Sequence, residues 1–210
     1  MSIVARARAA GLVIAAVAAL AACGSPLREV YSMRPRPGGG SEPPKSVAIR
    51  VWAPADLPRA ADMLAKELQD VVRLRRNYLV YSSAPIGASY ADACTVPAVD
   101  AAPPKALGGV LLLRVLHAEP EADEIAMTLA LELYHCADGA LLWRAEAGDT
   151  VTPADPDLRE LSRAYSQEFG ELADRYAAPA FVLIKALVEA LPNPVLTDDE
   201  IALKIELESS

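Results

Sequence analysis

Aromatic residues and histidine are scarce in this sequence of 210 residues. It has two Phe, two Trp and two His beside seven Tyr, and aromatic residues make up 5% of the chain. Apolar residues nevertheless reach 53%. We therefore expect one core built mainly from Leu, Val, Ile and Ala, in a single folded domain.

The motifs that carry the common enzymatic chemistries are also missing. The sequence has no Gly-x-Ser-x-Gly turn, no Walker phosphate loop, no dinucleotide fingerprint and no His-Glu-x-x-His zinc motif. The two histidines, His117 and His135, fall at the ends of predicted strands and belong to no His-x-x-x-His or Cys-x-x-Cys set. The sequence therefore predicts no catalytic residue, no metal site, no cofactor and no enzymatic activity.

Basic residues are too few to balance the acidic ones. The chain has 20 Lys and Arg against 28 Asp and Glu, a formal net charge of -8, which would repel a phosphate backbone. Arg73, Arg75 and Arg76 do cluster, but at the predicted end of a helix, where they complement the helix dipole. We predict no nucleic-acid partner.

The amino terminus carries a long uncharged apolar run. Residues 9–22 follow the basic residues Arg6 and Arg8, an order typical of a secretory signal peptide. The run is too short for a permanent membrane span, which needs about 20 residues. We predict that residues 1–22 are an export signal that is removed.

The end of this run, Leu20-Ala21-Ala22-Cys23, resembles the lipobox of bacterial lipoproteins. The resemblance implies cleavage before Cys23, attachment of diacylglycerol to its sulfur and acylation of the new amino group, which together exceed the two signals that stable anchoring requires. Gly24 follows, and lipoproteins without Asp there are usually passed to the outer membrane. The resemblance thus implies an outer-membrane lipoprotein facing the periplasm, with the membrane as its partner through Cys23. Inner-membrane retention and ordinary secretion are the alternatives.

Residues 23–45 contain little apolar sequence and many Pro and Gly residues. This composition predicts a flexible tether. Beyond it, Cys94 and Cys136 would remain in a compartment that favours disulfides, so we predict that they pair. Closing this loop would stabilise the fold by about 4 kcal/mol on the chain-entropy estimate. Two unpaired buried thiols are the alternative.

The folded part opens with a predicted strand, helix and strand. Ser46 to Trp52 alternates apolar and other residues, as a half-buried strand does. Pro58 to Leu74 has helical apolar spacing, with Asp56 placed to cap it. Tyr78 to Tyr81 predicts the second strand.

An antiparallel meander is predicted next. Its strands are Val110 to His117, Glu124 to Tyr134 and Ala140 to Ala147, with Asp138-Gly139 as the turn of the second hairpin.

Helical spacing then extends from Leu158 to Tyr176, and Pro179 predicts a kink or restart before the helix of residues 181–191. In the tail, residues 192–210, alternation from Ile201 to Leu207 favours an edge strand or a loosely docked tail, although Thr197 and Glu200 resemble a helix capping box.

Together these elements predict an α+β fold over residues 46–191. It is a two-layer sandwich with a mixed, mostly antiparallel sheet of about five strands and helices packed on one face. Residues 46–52, 107–115 and 131–143, the last ending in Asp-Gly-x-x-x-Trp, resemble the small periplasmic domain shared by the Tol-system propeller protein, curli-secretion-type lipoproteins and auxiliary lipoproteins of ABC-type lipid transport. The helix of residues 177–191 is similar to one in uncharacterised lipoproteins of myxobacteria and spirochaetes. The resemblance implies an architecture rather than an activity.

We accordingly expect a non-enzymatic adaptor or accessory subunit of an envelope assembly or of ABC-type lipid transport, with an envelope protein as partner. The alternative is a carrier that holds a lipid or other apolar ligand between helices and sheet. A solid core with an exposed apolar patch would favour the adaptor, and an apolar cavity would favour the carrier. A subunit of a secretion pore is a third possibility, which would need further amphipathic hairpins.

Overall fold

The structure, a computed structural model, describes residues 26–31, 42–57, 59–86, 94, 107–153 and 156–209. Within these residues a six-stranded sheet forms one layer and helices form the other. The strands are β1 (Leu27–Tyr31), β2 (Ser46–Trp52), β3 (Leu79–Pro85), β4 (Gly109–Glu121), β5 (Glu124–His135) and β6 (Leu141–Val151). The helices are α1 (Ala60–Arg75), α2 (Arg159–Phe169), α3 (Glu171–Ala190) and α4 (Asp198–Glu208).

The sheet has the strand order β1-β6-β5-β4-β2-β3. β2 is parallel to both of its neighbours, whereas the other three pairings are antiparallel. This arrangement confirms the predicted α+β fold with a mixed, mostly antiparallel sheet. One strand more than expected is present, and it comes from the segment predicted as a tether.

Alternation along the strands directs one face of the sheet to the helices. Val47, Ile49 and Val51 of β2 are fully buried on this face. The core they join is aliphatic, and it contains fully buried side chains from both layers, among them Leu64, Leu68, Leu111, Leu113, Leu129, Leu131, Leu183 and Ile184. Burying each such side chain contributes about 1.5–3 kcal/mol.

β1 corrects the predicted tether. Leu27 pairs with Ala147 of β6, and the backbone N–H of Gly148 donates to the carbonyl of Pro26 at 2.8 Å. An edge strand is held mainly by backbone hydrogen bonds, so it needs no long apolar pattern. The proposed signal peptide, residues 1–22, and Cys23 lie outside the described residues.

The predicted interruption at Pro179 is wrong. α3 continues through Pro179, which is buried, and the chain instead breaks at Gly170, between α2 and α3. Gly170 has φ 63° and ψ -143°, a conformation open essentially to glycine alone. Pro179 removes one helical hydrogen bond, and burial of the surrounding helix face offsets that loss.

Two further helix ends differ from expectation. α1 begins after Arg59, which has φ 65° and no side-chain cap, so Asp56 is not the capping residue. The tail forms α4 rather than a strand, because its capping box is complete: Thr197 accepts from the N–H of Glu200, and the Glu200 carboxylate accepts from the N–H of Thr197. Among the helices described, none is long and apolar enough to cross a bilayer.

Candidate docking surface

Exposed apolar side chains collect at one end of the domain. Of the five large ones in the described part of the chain, Leu74, Val195, Ile201 and Ile205 lie in or next to α4 and the end of α1, with exposures of 78, 81, 47 and 60%. We call these four residues the α4 surface. The fifth, Leu116, belongs to β4.

Polar contacts hold α4 in an orientation that leaves Ile201 and Ile205 exposed. Lys45, just before β2, forms an ion pair with Glu200 at 2.8 Å. The hydrogen bond from Lys45, helped by the backbone of Thr197, lowers the pKa of Glu200. At the other end of the helix, Lys204 Nζ donates to the carbonyl of Arg73 at 2.8 Å. These contacts involve Glu200 and Lys204. Ile201 and Ile205, each about 100° further round the helix, remain exposed.

The surroundings of the α4 surface are divided in charge. α4 contains five acidic residues and one lysine, a net charge of -4 from 1 - 5. Leu74 instead lies between Arg73 and Arg75 in the last turn of α1. Arg76 follows them and donates from Nε to the carbonyl of Leu191 at 3.1 Å and from Nη2 to that of Glu189. Arg76 therefore caps α3, as a cation at a helix carboxyl end does.

The predicted cysteine pair lies at this same end, on the sheet face that points away from the helices, which we call the outer face. The Sγ atoms of Cys94 and Cys136 are bonded, and their Cα atoms are 5.5 Å apart. The pair packs against the buried Val110 and Leu112 of β4. The disulfide thus attaches residue 94 to the end of β5.

Glu132 forms the centre of a charged cluster on the outer face. It is 2% exposed, and its carboxylate lies 3.3 Å from Arg144 Nη1 and 3.9 Å from Arg114 Nη1. The Tyr134 hydroxyl donates to Glu132 Oε2 at 2.9 Å. Because these groups come from three neighbouring strands, the cluster fixes the register of β4, β5 and β6.

The buried carboxyl group of Glu67 contrasts with that of Glu132. Glu67 of α1 is fully buried, and neither of its oxygens has a hydrogen-bond partner among the described residues. Burial raises the pKa of Glu67, and the nearby Asp70 raises it further. The hydroxyl of Tyr165, in α2, donates to Asp70 Oδ2 at 3.0 Å. Burial raises the pKa of Tyr165, and the nearby Glu67 and Asp70 raise it further.

An open cleft of 530 Å³ lies at the opposite end of the sheet, between the β4–β5 turn and the start of α3. Its charged lining comprises Asp123, Glu124, Glu171, Asp174 and Arg175. The rest of the lining is apolar, Pro120, Ala122, Ile125 and Pro153, so the cleft has mixed polarity and is open rather than an enclosed apolar chamber.

Neither histidine takes part in a cluster of metal ligands. His117 Nε2 lies 3.9 Å from Glu119, and His135 Nδ1 lies 2.8 Å from Asp138 in the turn after β5. In the part of the chain that the structure describes, no group of three or more His, Cys, Asp or Glu residues is placed to hold a metal ion.

Comparisons with known proteins identify the fold but not a family. No protein-family model and no curated protein sequence matches the chain. Among solved structures, the PelC dodecamer from Paraburkholderia phytofirmans is 15% identical, covers 80% of this chain and 97% of its own, and has a TM-score of 0.50. A hypothetical protein from Chlamydia trachomatis is 11% identical over 79% of this chain and 100% of its own, with a TM-score of 0.39. A lipoprotein from Neisseria meningitidis is 16% identical over 62% and 99%, with a TM-score of 0.34.

The sequence contains a signal for α4 and another for the burial of Glu67. Thr197 and Glu200 mark the start of α4, although the apolar alternation after them favours a strand. Glu67 lies four residues after Met63 and four before Val71, both buried, so helical spacing already placed its carboxyl on the buried face of α1.

Proposed function

We propose that the protein is a lipoprotein anchored through Cys23 to the periplasmic face of the outer membrane, where it acts as a non-enzymatic adaptor or accessory subunit of an envelope assembly, such as an ABC-type lipid transport system. The observation that carries the proposal is the α4 surface, on a domain whose described core residues pack in a buried cluster. An exposed apolar patch of this kind is typical of a protein interaction site.

The packing of the described core residues argues against the alternative of a lipid carrier. A carrier would need an apolar chamber between the helices and the sheet. Ile49, Leu113 and Leu129 of the sheet and Leu183 and Ile184 of α3 instead pack in one continuous buried cluster. The 530 Å³ cleft at the far end is lined by both charged and apolar residues and opens to solvent, so it does not enclose an apolar ligand.

The position of β1 separates the anchor from the α4 surface. Leu27 is level with Ala147, Leu129 and Val115, six residues along β4 from Gly109 at the α4 end, or roughly 20 Å. β1 and β3 are the two edge strands, five strand spacings apart, or roughly 24 Å. Pro26 and the α4 surface thus occupy opposite corners of the sheet, and an anchored domain can present this surface away from its point of attachment.

The likeness to PelC supports a role in an assembly. That protein is described as a dodecamer, so a domain of this fold can serve as a building block of a larger complex.

Photo-crosslinking in intact cells tests the proposal. A photoreactive amino acid replaces Ile205, and a matched variant carries it at Leu116. We expect Ile205 to give a discrete protein adduct that Leu116 does not give. A lipid adduct alone, or equal labelling from both positions, would contradict the adaptor role.

The anchor is tested separately with Cys23→Ser. This variant should lose acyl labelling and signal cleavage, so that no mature protein is found in the membrane fraction. A mature, membrane-bound Cys23→Ser protein would overturn the anchoring part of the proposal.

A further inference from the structure

The distribution of charge around the α4 surface identifies its partner. We propose that the α4 surface binds a second copy of this chain, with the acidic α4 of each copy facing the basic end of α1 of the other. This inference rests on the proposed function, because it names the partner of the same surface.

The α4 surface has an acidic half, Ile201 and Ile205 with the charges of α4, and a basic half, Leu74 with Arg73 and Arg75. The charges of the two halves are complementary. Ile201 and Ile205 lie on a helix of net charge -4, whereas Leu74 lies between Arg73 and Arg75. A two-fold rotation about an axis between the halves brings the acidic half of one copy over the basic half of the other. In the proposed pair, Leu74 of each copy would lie against Ile201 and Ile205 of the other. Such self-complementarity is what a two-fold symmetric interface requires.

Some of these charges have no ion-pair partner among the described residues. Lys45 neutralises Glu200, and Lys204 pairs with Glu208. Arg75, Asp198 and Asp199 form no ion pair within the described residues. A purely basic or purely acidic partner would meet a like charge on one half of the surface, whereas a second copy meets the opposite charge on both.

The size of the patch indicates a weak contact. A stable interface buries about 1,600 Å² in total, which four apolar side chains and a few charges do not reach. Confinement of both copies to one membrane would raise their effective concentration and favour pairing without new contacts. We therefore expect association on the membrane rather than a tight dimer in dilute solution.

Disulfide trapping between two differently tagged full-length copies tests this arrangement. One copy carries Leu74→Cys and the other carries Ile205→Cys, co-expressed with Cys23 intact. We expect a covalent dimer that contains both tags after mild oxidation of intact cells. The matched control replaces Leu74→Cys by Leu116→Cys, which is also exposed but lies outside the α4 surface, and should give at least about fivefold less dimer.

A charge reversal provides the second measurement. The copy that carries Leu74→Cys also receives Arg75→Glu, which reverses one of the two positive charges beside Leu74. This change should lower the yield of the trapped dimer at least threefold. Equal yields from the Leu74 and Leu116 pairs, or no effect of Arg75→Glu, would overturn the inference. If trapping fails while photo-crosslinking from Ile205 captures a different envelope protein, the proposed function stands and only the identity of the partner is wrong. If Ile205 captures no protein, both fail.

Discussion

A carboxyl group that is buried without a hydrogen-bond partner favours its neutral form, and Glu67 is such a group. Its pKa in the folded state lies above the unfolded value, so the native state holds the proton more tightly. The free energy of unfolding therefore falls as the pH rises from the unfolded pKa through the folded pKa. Above the folded pKa the full cost of the buried charge is present.

Replacing Glu67 by Met should remove this cost, because Met fills a similar volume without a polar group. We expect Glu67→Met to be more stable than the wild type by about 1–3 kcal/mol at pH 8 and to show a smaller gain at pH 4.5. Urea denaturation at both pH values measures the difference. Glu160→Gln, an exposed acid of α2, should change neither value, and a constant offset between the Glu67→Met and wild-type curves would refute the explanation.

Glu132 illustrates the opposite case, a buried carboxylate whose partners are all in place. Glu132→Gln removes the counter-charge of Arg114 and leaves Arg144 paired with Glu146, so we expect a loss of about 1–2 kcal/mol. This is less than for a fully buried pair, since the side chains of Arg114 and Arg144 are 42 and 31% exposed. Chemical denaturation provides the measurement. Glu146→Gln, which removes the other partner of Arg144, should cost less, and the reverse order would argue against a central role for Glu132.

At the scale of elements, Gly170 separates α2 from α3. A Cβ at this position would meet no atom within 4 Å, so any effect of a side chain there comes from the backbone conformation alone. Gly170→Ala should destabilise the fold by about 1–3 kcal/mol. Thermal unfolding tests this, with Glu171→Ala as the neighbouring helical control. If the two substitutions had equal effects, the conformation of Gly170 would be unimportant.

The elements that could be predicted are those in which burial follows a regular spacing. β2, α1 and the β4–β6 meander were found where alternation or helical spacing placed them, because each has one buried face. β1 was missed because backbone pairing with β6 holds it. The interruption expected at Pro179 is absent because tertiary packing can outweigh one lost hydrogen bond. The tail is a helix although its apolar residues alternate, because these residues are not buried in a core.

The candidate surface was harder to predict than the fold. Folding brings Leu74, Val195 and Ile205 to the same end of the domain. Because they are far apart in the sequence, no local pattern marks them as a group. The sequence did predict that Cys94 and Cys136 pair, from their number and the expected compartment, and the structure contains this bond. Cys23 remains a prediction from its resemblance to the lipobox.

At the scale of the whole molecule, the disulfide closes a loop with a sequence separation of 42 residues. Replacing Cys94 and Cys136 together by Ala should lower the free energy of unfolding by about 4 kcal/mol, since the unfolded chain regains the freedom of the open loop. Unfolding of the wild type with and without reductant gives the comparison, and the double variant should be insensitive to reductant. Equal stability of the oxidised wild type and the variant would contradict this.

β1 also determines how far an anchored copy can range. A free tether of residues 23–45 would extend about 26 Å on average, whereas the three peptide units from Cys23 to the paired Pro26 span at most about 11 Å. If Cys23 is lipidated as proposed, the volume that the domain could sweep around the lipid would therefore be smaller by roughly tenfold. A lipidated copy would turn and tilt at the bilayer but would not search the depth of the periplasm, so whatever binds it has to arrive at the membrane surface.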